Sequence, residues 1–399
     1  MSRARRKTLY LDRNGIGRGV MLAATILRGV FGRKDGDRPP SALARVPGVA
    51  RLFGYLQNYN DRLSYINDWR DAFLRSSELD VTVCDMNDLV HLGTCLARVK
   101  SFDLIVVSHA AAGDELSLAL KAAPALARRR CPIVIFLGNE YDLLDQKLEF
   151  CRAVGASLLC SQLPLEAARY LYGGSTDAKI LAAPHALNPD VYRPGPHEGR
   201  DIDVGFVGDL YLPFVGDLER TRLIEYFERN GAAHGLRCDI RAGGASRMPR
   251  EAWATFLRRC RGLIGAESGT YYLNEKGALL DRARAYNLDE NRAATFDEVF
   301  ARFYAGVPRG VSGKSISSRH FEAIGAKTCQ VLIEGDYNGI LKPGEHYIPV
   351  KADLSDAEEA IGMLRDETLR RRIADAAYDL VMTGHTYERR VADVLAELP

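Results

Sequence analysis

Apolar residues in this chain fall into short, strongly β-branched runs separated by longer stretches of helical period. In the first half the runs TLYLD (8–12), VTVCDM (81–86), DLIVVSH (103–109), PIVIFLG (132–138), ASLLCS (156–161) and AKILAAPH (178–185) predict strands. Helices are predicted over 20–30, 61–76, 114–130, 142–153 and 163–173. Strands at such intervals with helices between them indicate a parallel, doubly wound sheet. The rhythm then breaks at ALNPDVYRPGPHEGRD (186–201), which holds three prolines and two glycines and reads as an interdomain linker.

After the linker the pattern restarts. Strands are predicted at DVGFVG (203–208), LRCDIRAG (236–243), GLIGAE (262–267), QVLIE (330–334) and HYIPV (346–350). Helices are predicted over 217–230, 249–259, 357–382 and 386–397, with a short one at FEAIGA. Residues 270–312 interrupt the rhythm and read as an insertion with short helices of its own. The expected fold class is therefore α/β, with two doubly wound, Rossmann-like domains facing a cleft. The first covers 1–190 and the second 191–385, and a closing segment, 386–399, is expected to pack back on the first.

Composition narrows the classes. The 399 residues carry 54 Lys+Arg against 52 Asp+Glu, a balance that disfavours a dedicated nucleic-acid binder. No uncharged apolar run reaches the length of a membrane span. The eight cysteines are scattered, with no Cys-x-x-Cys pair and no Cys/His group at zinc spacing, so they read as buried thiols in a reducing, cytoplasmic compartment, and no metal site is expected. No secretory signal follows the basic start. Residues 1–50 are locally basic, with eleven Lys/Arg and three Asp. The loop at 32–48 is either a plain solvated segment or a peripheral contact for anionic lipid or an anionic acceptor.

In open α/β sheets ligands bind beyond the carboxyl ends of strands, so the candidates are loops that follow strands. Gly15 and Gly17 follow the first strand and open a helix. Their spacing, and an acid closing a second strand that lies some 70 residues on (Asp85) and not about 20, argue against a nicotinamide site and for a substrate-cleft loop or a tight turn. His109 ends a buried strand and either meets a ligand or is satisfied by backbone. Asn139 lies in GNEYD after another strand and either lines the cleft or caps a helix. Gly208 opens the loop that leads to Arg220 and Arg222, which suit bidentate phosphate contact or lie on a plain surface. Ser317, Ser318 and Arg319 precede a helix whose free amides attract phosphate, with Lys314 nearby. Glu322, one turn on, either accepts hydrogen bonds from ribose hydroxyls or complements the helix dipole.

The segment S-x-R-x-FEA with the following Gly-Asp turn and KPGEHYIPV resembles the nucleotide-sugar domain of GT-B glycosyltransferases, nearest the family 4-like and spore-maturation-type proteins. The closing stretch 364–395, with HTYER at 385–389, and APHALNPDVYRP (183–194) resemble the same group. The resemblance implies a transferase that moves a sugar from a nucleotide-diphosphate sugar to a glycan, lipid or small-molecule acceptor. It implies a retaining hexosyl transfer with the donor bound by the second domain; no Asp-x-Asp pair stands at a strand's carboxyl end, and Lys314, Arg319, Arg220 and Arg222 suit a leaving diphosphate without a metal or other cofactor. Glu322 falls on the second Glu of the family's Glu-x7-Glu motif. The first falls on Lys314, a departure that Glu267 is a candidate to make good. His109 matches the family's strand-end histidine. Arg319, Arg220, Arg222, Ser317 and Ser318 are then the donor's anion-binding set. Two other readings stay open: a non-catalytic relative that binds nucleotide or glycan, which Lys314 favours, and a nucleotide-sugar epimerase.

Overall fold

A computed structural model describes residues 4–13, 64–113, 116–196, 199–243 and 248–399. Gly15, Gly17, the helix expected over 20–30 and the basic loop 32–48 lie outside the described residues. The chain folds as two α/β lobes, each built on one parallel sheet, which is the fold class expected from the sequence.

The first lobe has strands β1 (Arg6–Asp12), β2 (Leu79–Asp85), β3 (Leu104–Val107), β4 (Ile133–Phe136), β5 (Leu158–Ser161) and β6 (Lys179–Ala182). They lie in the order β2-β1-β3-β4-β5-β6. The central strands β3, β4 and β5 are buried at every position, as their apolar runs require. Helices α1 (Ser64–Arg75), α2 (Leu89–Ala97), α3 (Ser117–Leu126), α4 (Leu144–Val154) and α5 (Leu165–Tyr172) cover the sheet. The sequence pattern does not predict α2. It is nine residues long and contains Gly93 and Thr94, so its period is weak, and it forms because Asp88 caps it, accepting from the His91 amide, and because Leu92 and Cys95 are buried.

The second lobe has β7 (Ile202–Gly208), β8 (Cys238–Ala242), β9 (Cys260–Gly265), β10 (Cys329–Ile333) and β11 (Ile348–Val350), ordered β11-β10-β9-β7-β8. Helices α6 (Glu219–Asn230) and α7 (Arg250–Arg259) follow β7 and β8. The insertion contributes α8 (Ala278–Ala285) and α9 (Phe296–Phe303), then come α10 (Ser318–Gly325), α11 (Ala357–Arg365), α12 (Glu367–Gly384) and α13 (Tyr387–Ala396). The single helix expected over 357–382 is two. Asp366 leaves helical geometry at ψ 102° and caps α12 by accepting from the Leu369 amide.

The insertion has its own small core, in which Phe214, Tyr272, Leu279, Val299 and Tyr304 pack together. It also reaches the first lobe. Arg284 pairs with Asp142 at 2.6 Å, and the Lys276 amide donates to the Tyr170 hydroxyl at 3.2 Å.

The chain passes between the lobes twice, and the two passages are bonded together. The Leu187 amide donates to the His385 carbonyl at 2.9 Å, and the Tyr387 amide donates to the Leu187 carbonyl at 3.0 Å. Helix α13 then returns to the first lobe, where Tyr387, Val391 and Val394 join Trp69, Phe73 and Phe136 in the core. Gly325, the last residue of α10, lies against the same place. A Cβ there would come within 2.4 Å of Leu187 and 2.5 Å of the Tyr192 carbonyl. Tyr387→Ala should destabilise the first lobe by about 3–5 kcal/mol, the usual range for removing a buried aromatic ring. Urea unfolding followed by the fluorescence of Trp69 measures it, and an unchanged midpoint contradicts the packing role.

Candidate active site

A cleft of about 790 Å³ lies between the lobes and is lined from both sides. Its second-lobe wall is built on α10. Ser317 precedes the helix in extended geometry (φ −107°, ψ 167°), and its amide donates to His320 Nδ1 at 3.0 Å, which closes the turn. Burial lowers the pKa of His320 to about 4, so near neutral pH its ring is uncharged and can accept that bond. The first amides of α10 have no carbonyl within the helix, and the dipole adds positive character there. Ser317, Ser318, Arg319 and Glu322 all line the cleft.

Two further features hold this wall. The Arg319 guanidinium lies over the Phe206 ring and directly above Gly208, where a Cβ would come within 2.1 Å of it. Gly208 is thus the space that Arg319 occupies. Arg220 lines the cleft beside it, donating to the Asp209 carbonyl at 2.9 Å and lying 3.8 Å over the Tyr211 ring. Glu322 is buried and accepts from Trp253 Nε1 at 2.6 Å through one oxygen, Oε2.

The first-lobe wall contains Asn139, Tyr65 and His185. Asn139 takes a positive φ of 43°, which asparagine tolerates. Its carbonyl accepts from the buried Lys147 ammonium at 2.7 Å. Glu140 also borders the cleft, but its carboxylate is held by Ser161 at 2.6 Å, Tyr172 at 2.8 Å and the Gln162 amide at 2.6 Å, so it anchors the wall. His185 Nδ1 accepts from Trp69 Nε1 at 3.3 Å, and burial lowers its pKa to about 3. The neutral ring then carries its proton on Nε2, a hydrogen-bond donor at the cleft wall. His185 was not singled out from the sequence, although it follows a strand end just as His109 does.

Other expected residues stand elsewhere. His109 is buried one layer behind the wall, its ring 5.3 Å from His185, 5.0 Å from Phe136 and 5.5 Å from Trp69. Its Nε2 has no hydrogen-bond partner among the described residues, and burial holds its pKa well below the usual value. Lys314 is buried and turned from the cleft. Its ammonium pairs with Asp217 at 2.6 Å and lies 4.7 Å from the Tyr271 ring. Glu267 is also buried, its Oε1 accepting the Tyr337 amide at 2.7 Å, so it pins the turn after β10, and it lies outside the cleft lining. Arg222 is exposed and lies outside the lining, because it points from the outer face of α6.

One ion-pair group joins the lobes beside Glu322. Arg250 donates to Asp68 at 2.9 Å and to Asp71 at 2.8 Å, and Asn188 of the linker donates to Asp68 at 2.7 Å. Burial outweighs these partners and raises the Asp68 pKa to about 7.

Two outcomes follow from this geometry. Both ends of the Lys314–Asp217 pair are almost wholly buried, so Lys314→Met alone should cost about 3–5 kcal/mol, whereas Lys314→Met with Asp217→Leu should recover most of it. Chemical denaturation decides, and a harmless single replacement contradicts the pairing. Asp68 ionises in the unfolded chain near pH 4 but in the folded one only near pH 7. The folded state therefore holds the extra proton in between, and stability should fall as pH rises from 4 to 7. Asp68→Asn should flatten that slope in melting curves; a slope that persists unchanged assigns it to another group.

Residues 274–396 match a family model described as glycosyl transferase-like. A search of curated proteins gives no match. Among solved structures, HepE from Anabaena, crystallised with UDP-glucose, is similar at 12% identity and a TM-score of 0.49, covering 99% of this chain and 100% of that one. A glycosyltransferase from Rickettsia africae shows 9% identity and a TM-score of 0.46 over 99% and 98% of the two chains. Sucrose-phosphate synthase from Thermosynechococcus elongatus shows 13% and 0.45 over 98% of each. The matched segment contains Arg319 and Glu322 of the cleft wall.

Proposed function

We propose that this protein is a glycosyltransferase whose donor is a nucleotide-diphosphate sugar. The observation that carries the reading is the convergence on one cleft wall of Arg220 with the start of α10, Arg319 and Glu322, the last three lying within the segment that matches the family model. A diphosphate meets the amides and the two guanidiniums, and the Glu322 carboxylate at the cleft wall accepts from the pentose hydroxyls. The sugar then extends towards Asn139 and His185, where the acceptor enters from the first lobe.

In the reaction the bond from the anomeric carbon to the diphosphate oxygen breaks, and a bond to an acceptor hydroxyl oxygen forms. The hydroxyl proton passes to the leaving diphosphate or to solvent. Negative charge grows on the diphosphate, and fixed cations and amides offset it without a metal. Front-face delivery of the acceptor makes the transfer retaining in this reading, and the transferred group a hexosyl unit.

A second reading, a non-catalytic donor-binding relative, is favoured by one observation. The position eight residues before Glu322 is Lys314, locked onto Asp217, so no carboxylate from that position reaches the sugar.

A thermal-shift screen of UDP-, GDP-, ADP- and TDP-sugars should give one stabilising donor. Glu322→Ala should weaken it roughly ten- to a hundredfold, the worth of a charged hydrogen bond. Unchanged affinity removes Glu322 from the site. Donor turnover with release of nucleotide distinguishes a transferase from the binding relative. Brief EDTA treatment should leave turnover in place; loss that Mg²⁺ or Mn²⁺ restores overturns the metal-free mechanism.

A further inference from the structure

The first lobe brings together three residues that no pattern in the sequence pairs. Cys84 lies next to the carboxyl end of β2. His91 and Cys95 are four apart on α2, hence on one face of that helix. The strand, the turn Met86–Asp88 and the helix fold so that Cys84 Sγ, one ring nitrogen of His91 and Cys95 Sγ all lie within 4.8 Å of one another. The spacing Cys-x6-His-x3-Cys matches no zinc motif by count, which is why a search for zinc spacing passes over it.

We propose that Cys84, His91 and Cys95 form a binding site for one thiophilic divalent cation of the zinc class. Two thiolates and an imidazole are the ligand set that zinc prefers over harder cations. The charge balance suits the place. A dication with two thiolates is neutral overall, so it is compatible with a core in which Cys84 is wholly buried and Cys95 nearly so. Asp85 and Asp88 lie close enough to Cys84 to act on its charge, and both carboxylates favour a cation there. Asp88 also fixes the first turn of α2 by accepting the His91 amide, which sets the direction of that side chain. His91 is only half-buried, so the ion enters from its side, and water completes the coordination.

The site is structural. Among the described residues β2 is the outermost strand of its sheet, bonded on one edge, and α2 is a short helix with an internal glycine. A metal bridging the two clamps this edge, and none of its ligands lines the cleft. Binding releases the two thiol protons, so affinity falls as pH falls.

The test uses the full-length reduced chain, purified from zinc-supplemented medium. Elemental analysis after desalting should find about one zinc per chain. Cys84→Ser and Cys95→Ser should each abolish it, and His91→Ala should weaken zinc binding about tenfold or more in competition with a chromophoric chelator. Because a serine variant can fail to fold, Co²⁺ added to the metal-stripped wild-type chain gives a second readout: thiolate-to-cobalt charge-transfer absorption, which Zn²⁺ should displace. A chain with no zinc and no such absorption overturns the proposal. So does a Cys84–Cys95 disulfide in the chain isolated without reductant that persists after zinc is supplied.

Discussion

A pair of backbone hydrogen bonds at one residue ties together the two passages of the chain between the lobes. Leu187 gives its amide to the chain on its way back and receives an amide from it, so the outgoing and returning passages form one buried junction. The lobes are held at further points by Arg250 with Asp68 and Asp71 and by Arg284 with Asp142. The carboxyl ends of both sheets then face the same space, which is where open α/β sheets offer loops to a ligand. Helix α13 completes the arrangement by burying Tyr387 in the lobe that the chain left two hundred residues earlier.

Division of labour across the cleft follows from how each wall is held. The second-lobe wall is positively charged through one helix end and two guanidiniums, and each guanidinium is placed by something rigid: a glycine under Arg319, and a ring and a carbonyl beside Arg220. Among the described residues, the first-lobe wall meets the cleft with no Lys or Arg. Its carboxylate, Glu140, is spent on three internal donors, and its histidines are kept uncharged by burial. One side therefore attracts an anion and the other presents hydrogen-bonding groups without charge, an asymmetry suited to a ligand with a charged end and a polyhydroxylated end.

All eleven strands among the described residues are legible in the sequence, most plainly β3, β4, β5 and β10, which are buried at every position and written as unbroken apolar runs. Helix α2 is not, since a short helix with an internal glycine depends on its cap and its partners. The run 357–382 keeps helical period straight through Asp366, so nothing in the pattern marks the break. At the site, Ser317, Ser318, Arg319, Glu322, Arg220 and Asn139 are legible because each follows a strand or opens a helix. Lys314 and Glu267 meet the same rule and still face inward. Their orientation is decided by Asp217 and the Tyr337 amide, 97 and 70 positions away. His109 and His185 carry the same strand-end signal, and only packing around Trp69 determines which of them reaches the wall.

Helix α10 is about 12 Å long, eight residues at the usual rise. One end aims its amides into the cleft, and the other, at Gly325, touches Leu187 with no room for even a methyl group. One short helix thus reaches from the cleft wall to the residue at which the two passages of the chain are tied together.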